Sequence, residues 1–176
     1  MPDDSTLPHR LAVLVDLRSD DGRVLLLHRL KAPNKGLCSP IGGKVHTDLG
    51  ESPAQCARRE TMEEVGLDLD PGRFHLSGLI AERGYEGQGH WLLFYYRVLG
   101  TVWVEPHEMR EGRLEWFTPG EIDGLSLPET DRKIFWPLVR KHEGRSPNDR
   151  PGFFSVSVDC SSEPMTWHVE QETPAG

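Results

Sequence analysis

Apolar residues fall into short runs, set apart by glycine, proline and acidic turns, with two longer helical stretches among them. Residues 9–18, carrying Leu-Ala-Val-Leu-Val, read as a strand. Asp20-Asp21-Gly22 signals a turn, and residues 23–29, with Val-Leu-Leu-Leu, read as its hairpin partner. Runs apolar on both faces predict strands covered on both sides. Pro33-Asn34 marks a loop, and residues 37–41 form a short strand leading into Gly42-Gly43. Residues 74–83 and 90–98 read as a second strand pair, joined by Gly84-Tyr85-Glu86-Gly87-Gln88-Gly89. Residues 105–113 read as a polar connection, 114–117 as a short strand and 119–122 as a helical turn. Residues 128–142 read as a helix with an apolar stripe of Ile134, Phe135, Leu138 and Val139. Pro137 should kink or break it, leaving two short pieces on either side of Trp136 as the alternative. Residues 153–159 and 165–169 read as a closing hairpin. This order predicts an α/β fold, a mixed β-sheet with helices on both faces.

The other helix has both ends marked. Ser52 and Gln55 make a capping box, Pro53 takes the first helical position, and Gly66 supplies a left-handed terminus. The predicted span is residues 53–65. At about 100° per residue, Ala54, Ala57, Thr61 and Val65 share a narrow stripe suited to close packing on a sheet. Glu60, Glu63 and Glu64 share another face. Glu60 and Glu64 are like charges one turn apart, and Glu63 and Glu64 lie where the helix dipole disfavours anions. Each term costs only about 0.3–1 kcal/mol, but both have the same sign. A solvated acidic face is the ordinary reading of such a cluster. A bound divalent cation reverses both penalties, and three carboxylates suit a hard, oxygen-seeking ion such as Mg2+.

Composition narrows the setting. The chain has 176 residues and a formal net charge of −8. That length suits one domain, and that charge disfavours duplex nucleic acid or an anionic membrane as partner. No apolar run approaches the roughly 20 residues of a spanning helix. Residues 1–8 are polar and acidic, unlike a secretory signal. Cys38, Cys56 and Cys160 have no metal-ligand spacing and read as reduced thiols of a cytoplasmic protein. Cys56 lies beside the acidic face, but nearby carboxylates would blunt it as a nucleophile.

Residues 43–67 resemble the signature of the Nudix hydrolases, G-x5-E-x7-R-E-U-x-E-E-x-G-U, where U is apolar. Glu51, Arg59, Glu60, Glu63, Glu64, Gly66 and Leu67 match in register. Seven residues rather than five separate Gly43 from Glu51, and Thr61 stands at an apolar position. The resemblance implies the Nudix α/β/α sandwich, placed in a single domain at residues 9–170; the ends at 1–8 and 171–176 read as disordered. It implies Glu60 and Glu64 as direct Mg2+ ligands, with Mn2+ able to stand in, and Glu63 as a third ligand or a base. Glu51 and Arg59 would form a structural salt bridge, and Gly43 would let the backbone turn near the metal. Glu108 or Glu111 would supply a further ligand or the base. The implied reaction is hydrolysis of a nucleoside diphosphate linked to another group, with water attacking phosphorus. The partner is then a small-molecule nucleotide, and the protein a monomer or homodimer.

Farther along, Glu115-Trp116-Phe117, Leu127-Pro128-Glu129-Thr130-Asp131 and Phe135-Trp136-Pro137-Leu138 resemble the branch that destroys oxidised purine nucleoside triphosphates. That resemblance implies Glu129 and Asp131 at the purine edge, although acids in a first helical turn also serve as caps. Ser39, Lys44 and Tyr85 complete the substrate-binding candidates; Tyr85 sits at a loop tip where it can stack on a base or simply face solvent. The leading expectation is a nucleoside triphosphate cleaved to monophosphate and pyrophosphate. ADP-ribose, a nucleotide sugar or a dinucleoside polyphosphate is the alternative substrate, and a nucleotide-sensing module without turnover the alternative function.

Overall fold

The computed structural model describes residues 6–32 and 34–176. Among the described residues, ten strands form two sheets. The larger has the order β10 (Thr166–Thr173), β9 (Phe153–Asp159), β5 (Phe74–Tyr85), β6 (Gly89–Val98), β1 (His9–Asp16), β4 (Ile41–Lys44). Two of its pairings, β1 with β6 and β5 with β9, are parallel and the rest antiparallel, so the sheet is mixed. The smaller has the order β3 (Cys38–Ser39), β2 (Val24–Arg29), β8 (Gly112–Phe117), β7 (His107–Met109).

Helix α1 (Pro53–Val65) packs on β4 and β1. On the other face lies the helix that contains α3 (Trp136–Lys141), burying Ile134, Phe135, Trp136, Leu138 and Val139 against Ile80, Tyr95, Phe154 and Val156. A short α2 (Pro119–Ile122) caps the smaller sheet. The mixed sheet thus carries helices on both faces, the α/β layering that the order of elements predicts.

The β1–β2 hairpin does not form. The two strands lie in different sheets, joined among the described residues by an isolated bridge between Arg18 and Val24. The reason lies in the double-sided apolar runs. Val24 and Leu26 enter the core under α3, whereas Leu25 and Leu27 enter the core under α1. A strand wedged between two cores satisfies that pattern, and a simple hairpin does not. Buried polar groups fix the departure point: Asp16 accepts from Arg18 at 2.6 Å and from the Tyr95 hydroxyl at 2.7 Å.

Other departures are local. The 105–113 connection contains β7, and β10 runs on through Thr173 into the stretch expected to be a disordered tail. Residues 1–5 of the expected disordered start lie outside the described residues. Pro137 neither breaks its helix nor sits in an uninterrupted α-helix. Residues Asp131–Phe135 form a π turn, in which the Trp136 N–H bonds back to the Asp131 carbonyl, and α3 follows directly. The wide turn absorbs the proline within one continuous helix. On α1, Ala54 is exposed and the buried stripe is Cys56, Ala57 and Thr61. The Thr61 hydroxyl donates to the Ala57 carbonyl at 2.8 Å, which lets it occupy an apolar position.

Candidate active site

Both bonds of the capping box at Ser52 and Gln55 are present, and Gly66 ends α1 at φ +73°. The loop before the helix, two residues longer than the signature, includes a tight turn, Thr47–Leu49, closed by Gly50 at φ +69°. Glu51 ties this loop down. It accepts the His46 N–H at 2.8 Å and both arms of the Arg59 guanidinium at 2.7 and 3.0 Å. That pairing holds the Glu51 carboxyl low, at about 2. Arg59 also reaches the Lys44 carbonyl at 3.2 Å, Glu60 at 2.8 Å and Glu63 at 3.2 Å. One guanidinium therefore anchors the loop, the strand and the acidic face of the helix.

That acidic face meets β4 at Gly43. A Cβ there would lie 2.2 Å from the Glu60 Oε1, so only glycine lets the carboxylate come so near the strand. Glu64 accepts from the Gly42 N–H, yet its Oε2 is buried with no partner. Burial, and then the charge of Glu60, push the Glu64 carboxyl up to about 8. Burial also raises Glu60. An orphaned carboxylate oxygen beside two further carboxylates is a donor set for a hard cation. With Glu60 and Glu63 turned onto Arg59, no three such side chains among the described residues converge as a closed metal site. Cys56 is buried beneath this face, and burial, reinforced by Glu51, pushes its thiol up to about 12, so it is no nucleophile.

A cavity of about 630 Å³ runs from these acids across the larger sheet. Ala12, Leu14, Leu93 and Trp91 line it, and Asn34, Ser39, Tyr85 and Met109 add to its lining. β4, β1, β6 and β5 are successive neighbours in the sheet, so the cavity crosses four strands between Gly42 and Glu82. The acids Glu60, Glu63 and Glu64 lie near β4, with Arg29, Arg110 and Glu111 also lining the cavity. Arg29 pairs with Glu111 at 3.6 Å. Around β5 the lining residues are Glu82, Thr130 and Asp131. Burial, and then the charge of Glu82, push the Asp131 carboxyl up to about 8.

Most of the residues singled out in the sequence line this space: Glu60, Glu63, Glu64, Gly43, Lys44, Ser39, Tyr85, Glu111 and Asp131. Two do not. Glu108 is exposed and faces Arg113 at 3.8 Å, because β7 turns it outward. Glu129 is exposed and pairs with Lys133 one turn on, so it is not at the cavity. Tyr85 is not at a free loop tip; it ends β5 and its hydroxyl donates to Asn34. Glu82, Asn34 and Trp91 line the cavity without having been singled out. Asn34 at φ +62° follows the one warning available, a Pro-Asn turn. Glu82 gave a fainter one, a lone acid within an apolar strand.

The layered fold carries an acid-lined cleft on its larger sheet, a setting suited to hydrolysis of a charged substrate. The chain belongs to the NUDIX family, whose domain profile matches residues 8–141. It is 32% identical over 120 residues to the oxidized purine nucleoside triphosphate hydrolase of Danio rerio, covering 67% of this chain and 72% of that one. It is 27% identical over 165 residues to the RNA pyrophosphohydrolase of Mesorhizobium japonicum, covering 78% and 91%. A MutT protein from Bacillus halodurans superposes with a TM-score of 0.67 at 22% identity, covering 92% of this chain and 97% of that one. The protein is a hydrolase acting on phosphoric anhydride bonds, from a family that generally uses divalent metal ions. Among the described residues, no helix is long and apolar enough to cross a membrane.

Proposed function

We propose that the protein is a Mg2+-dependent pyrophosphohydrolase that converts a purine nucleoside triphosphate to the monophosphate and pyrophosphate. The observation that carries this reading is the division of one cavity, lined from β4 across to β5, into two chemistries. Carboxylates with an arginine lie near β4; a flat apolar floor with a buried acid lies toward β5. The first suits a metal-bound polyphosphate and the second a planar heterocycle. The identity to the purine triphosphate hydrolase of Danio rerio supports the same substrate class.

Glu60 and Glu64 would hold the cation, which supplies charge neutralisation on the phosphates and a more acidic water. The orphaned oxygen of Glu64 and the glycine cradle under Glu60 support that assignment. Arg29 neutralises phosphate oxygens. Arg59 keeps Glu60 and Glu63 in place from behind. Glu63, the most exposed of the three acids, takes the proton from the attacking water. As the P–O bond to water forms, the anhydride bond breaks and pyrophosphate leaves. Tyr85 and Asn34 form a hydrogen-bonded wall, and Asp131 meets the base, accepting from ring N–H and amino donors when ionised.

Incubation with a panel of nucleotides, with and without Mg2+, tests the reading. Pyrophosphate and a monophosphate from purine triphosphates support it. Two monophosphate products from ADP-ribose or a dinucleotide, with triphosphates untouched, would replace it.

A further inference from the structure

We propose that Arg110 is a specificity-determining residue: it holds the terminal phosphate of the substrate, which leaves as part of pyrophosphate, and so favours triphosphates. This rests on the reading above, in which the phosphates lie at the end of the cavity near β4.

Arg110 and Glu111 form the two-residue turn between β7 and β8, closed where Met109 pairs with Gly112. The smaller sheet fixes this turn from behind. The Leu30 N–H donates to the Glu111 carbonyl at 2.9 Å. A Cβ on Gly112 would lie 2.0 Å from the His28 carbonyl oxygen, so the glycine is what lets β8 close on β2 at this point. The turn is thereby held at the wall of the cavity that Glu60, Glu63 and Glu64 also line, while Arg110 itself remains exposed.

Among the described residues, the lysines and arginines lining the cavity are Arg29, Lys44 and Arg110. Two of them are engaged. Arg29 faces Glu111 at 3.6 Å, and the Lys44 Nζ lies over the Trp91 ring, 5.9 Å from its centroid. Arg110 is not: its neighbour Glu111 is taken by Arg29, and Glu108 faces Arg113. Among the described residues, no carboxylate pairs with Arg110. The chain has a net charge of −8, yet this guanidinium has no anion in the fold to answer it. A triphosphate supplies one. It brings more negative charge than a monophosphate or diphosphate into a space already lined by carboxylates, and its outermost phosphate needs a donor. A guanidinium meets two phosphate oxygens with one planar fork, and a long side chain on a fixed turn can swing onto the phosphate and release it.

The test measures binding of pyrophosphate and of GMP by calorimetry with Mg2+ present, beside kcat/KM for GTP. Arg110→Gln should weaken pyrophosphate binding by about tenfold or more and change GMP binding by less than about threefold. Its kcat/KM for GTP should fall by about tenfold or more, with an unchanged melting temperature because the side chain is exposed. Arg110→Lys keeps the charge and loses the fork, so it should restore part of the pyrophosphate binding. Pyrophosphate binding as tight in Arg110→Gln as in wild type overturns the inference. So does an equal loss for GMP, which would place Arg110 away from the terminal phosphate. A wild type that binds pyrophosphate through Arg110 but releases none from any triphosphate overturns the proposed reaction and leaves the phosphate contact standing.

Discussion

Gly43 and Glu60 are packed so closely that a Cβ on the glycine would come within 2.2 Å of the Glu60 Oε1. The intruding atom would meet the far end of a flexible side chain, so Glu60 can swing away at little energetic cost. Gly43→Ala should therefore fold with a stability loss of about 1 kcal/mol or less. Its Mg2+-dependent hydrolysis should fall on the order of 10–100-fold, because Glu60 no longer rests where the site needs it. Steady-state kinetics beside a thermal melt checks both halves. Full activity would mean that Glu60 is not needed in this position.

The neighbouring glycine makes the opposite case. A Cβ on Gly42 would lie 1.9 Å from the Val13 carbonyl oxygen, part of the β1–β4 ladder. No side chain can move aside, so the strands themselves must part. Gly42→Ala should lose more than about 2 kcal/mol, seen as a melting temperature lower by roughly 5 °C or more. A melt like that of Gly43→Ala would contradict this contrast.

Glu64 carries a buried oxygen with no partner, so its carboxylate burdens the protein in the absence of a cation. Glu64→Gln should melt no lower than wild type in chelator, while hydrolysis drops by about a thousandfold or more. Added Mg2+ should raise the wild-type melting temperature and leave that of Glu64→Gln nearly unmoved. A variant that still hydrolyses at wild-type rate would remove Glu64 from the site.

Local chemistry made α1 legible. Ser52, Gln55, Pro53 and Gly66 each act through atoms a few residues away, and all four do what their types predict. The β5–β6 and β9–β10 pairs were legible for the same reason, since each is joined by a short turn. The β1–β2 relation was not. Alternation cannot say which of two cores Leu25 or Leu26 enters, and the Asp20-Asp21-Gly22 turn would serve a hairpin equally well. The site divides in the same way. Three acids on one helical turn announce themselves, whereas Glu82 joins Asp131 only because β5 passes beneath a helix that begins nearly fifty residues later. Nothing within either segment encodes that meeting. Glu129 and Asp131 differ by two positions, which on a helix is enough to put one outside and one inside.

Arg59 holds Glu51, Glu60, Glu63, the Lys44 carbonyl and the Cys56 sulfur at once, and its planar fork makes the paired bonds to Glu51. Lysine keeps the charge and loses the fork. Arg59→Lys should reduce hydrolysis by about tenfold, through looser placement of Glu60 and Glu63. It should also weaken the protein toward acid. Glu51 titrates low, at about 2 against an ordinary 4.5, so the pair's stabilisation is present above the ordinary value and is lost as pH falls through about 2. The pair is partly exposed, so screening limits its worth to ~1 kcal/mol. Acid titration followed by circular dichroism should place the unfolding midpoint of Arg59→Lys at a higher pH than wild type. Coincident acid midpoints would mean that the fork contributes nothing beyond charge.

The carboxyls of Glu82 and Asp131 shift the other way, and so their stability effect has the opposite sign. Burial raises Asp131 from 3.8 to about 8 and Glu82 from 4.5 to about 7. Between these limits the folded chain holds protons that the unfolded chain has released, so folding is favoured less as pH rises. The contribution is fully present below about pH 4 and is gone once both groups ionise above about pH 8. The double variant Glu82→Gln, Asp131→Asn has nothing to ionise at these positions. Melting temperatures at about pH 5 and about pH 8.5 should therefore fall more steeply for wild type than for the double variant. The excess should be at least a few degrees. Other titrating groups are common to both proteins and cancel in the comparison. Parallel slopes would show that water reaches both carboxyls, and that the cavity around β5 is wetter than its apolar floor implies.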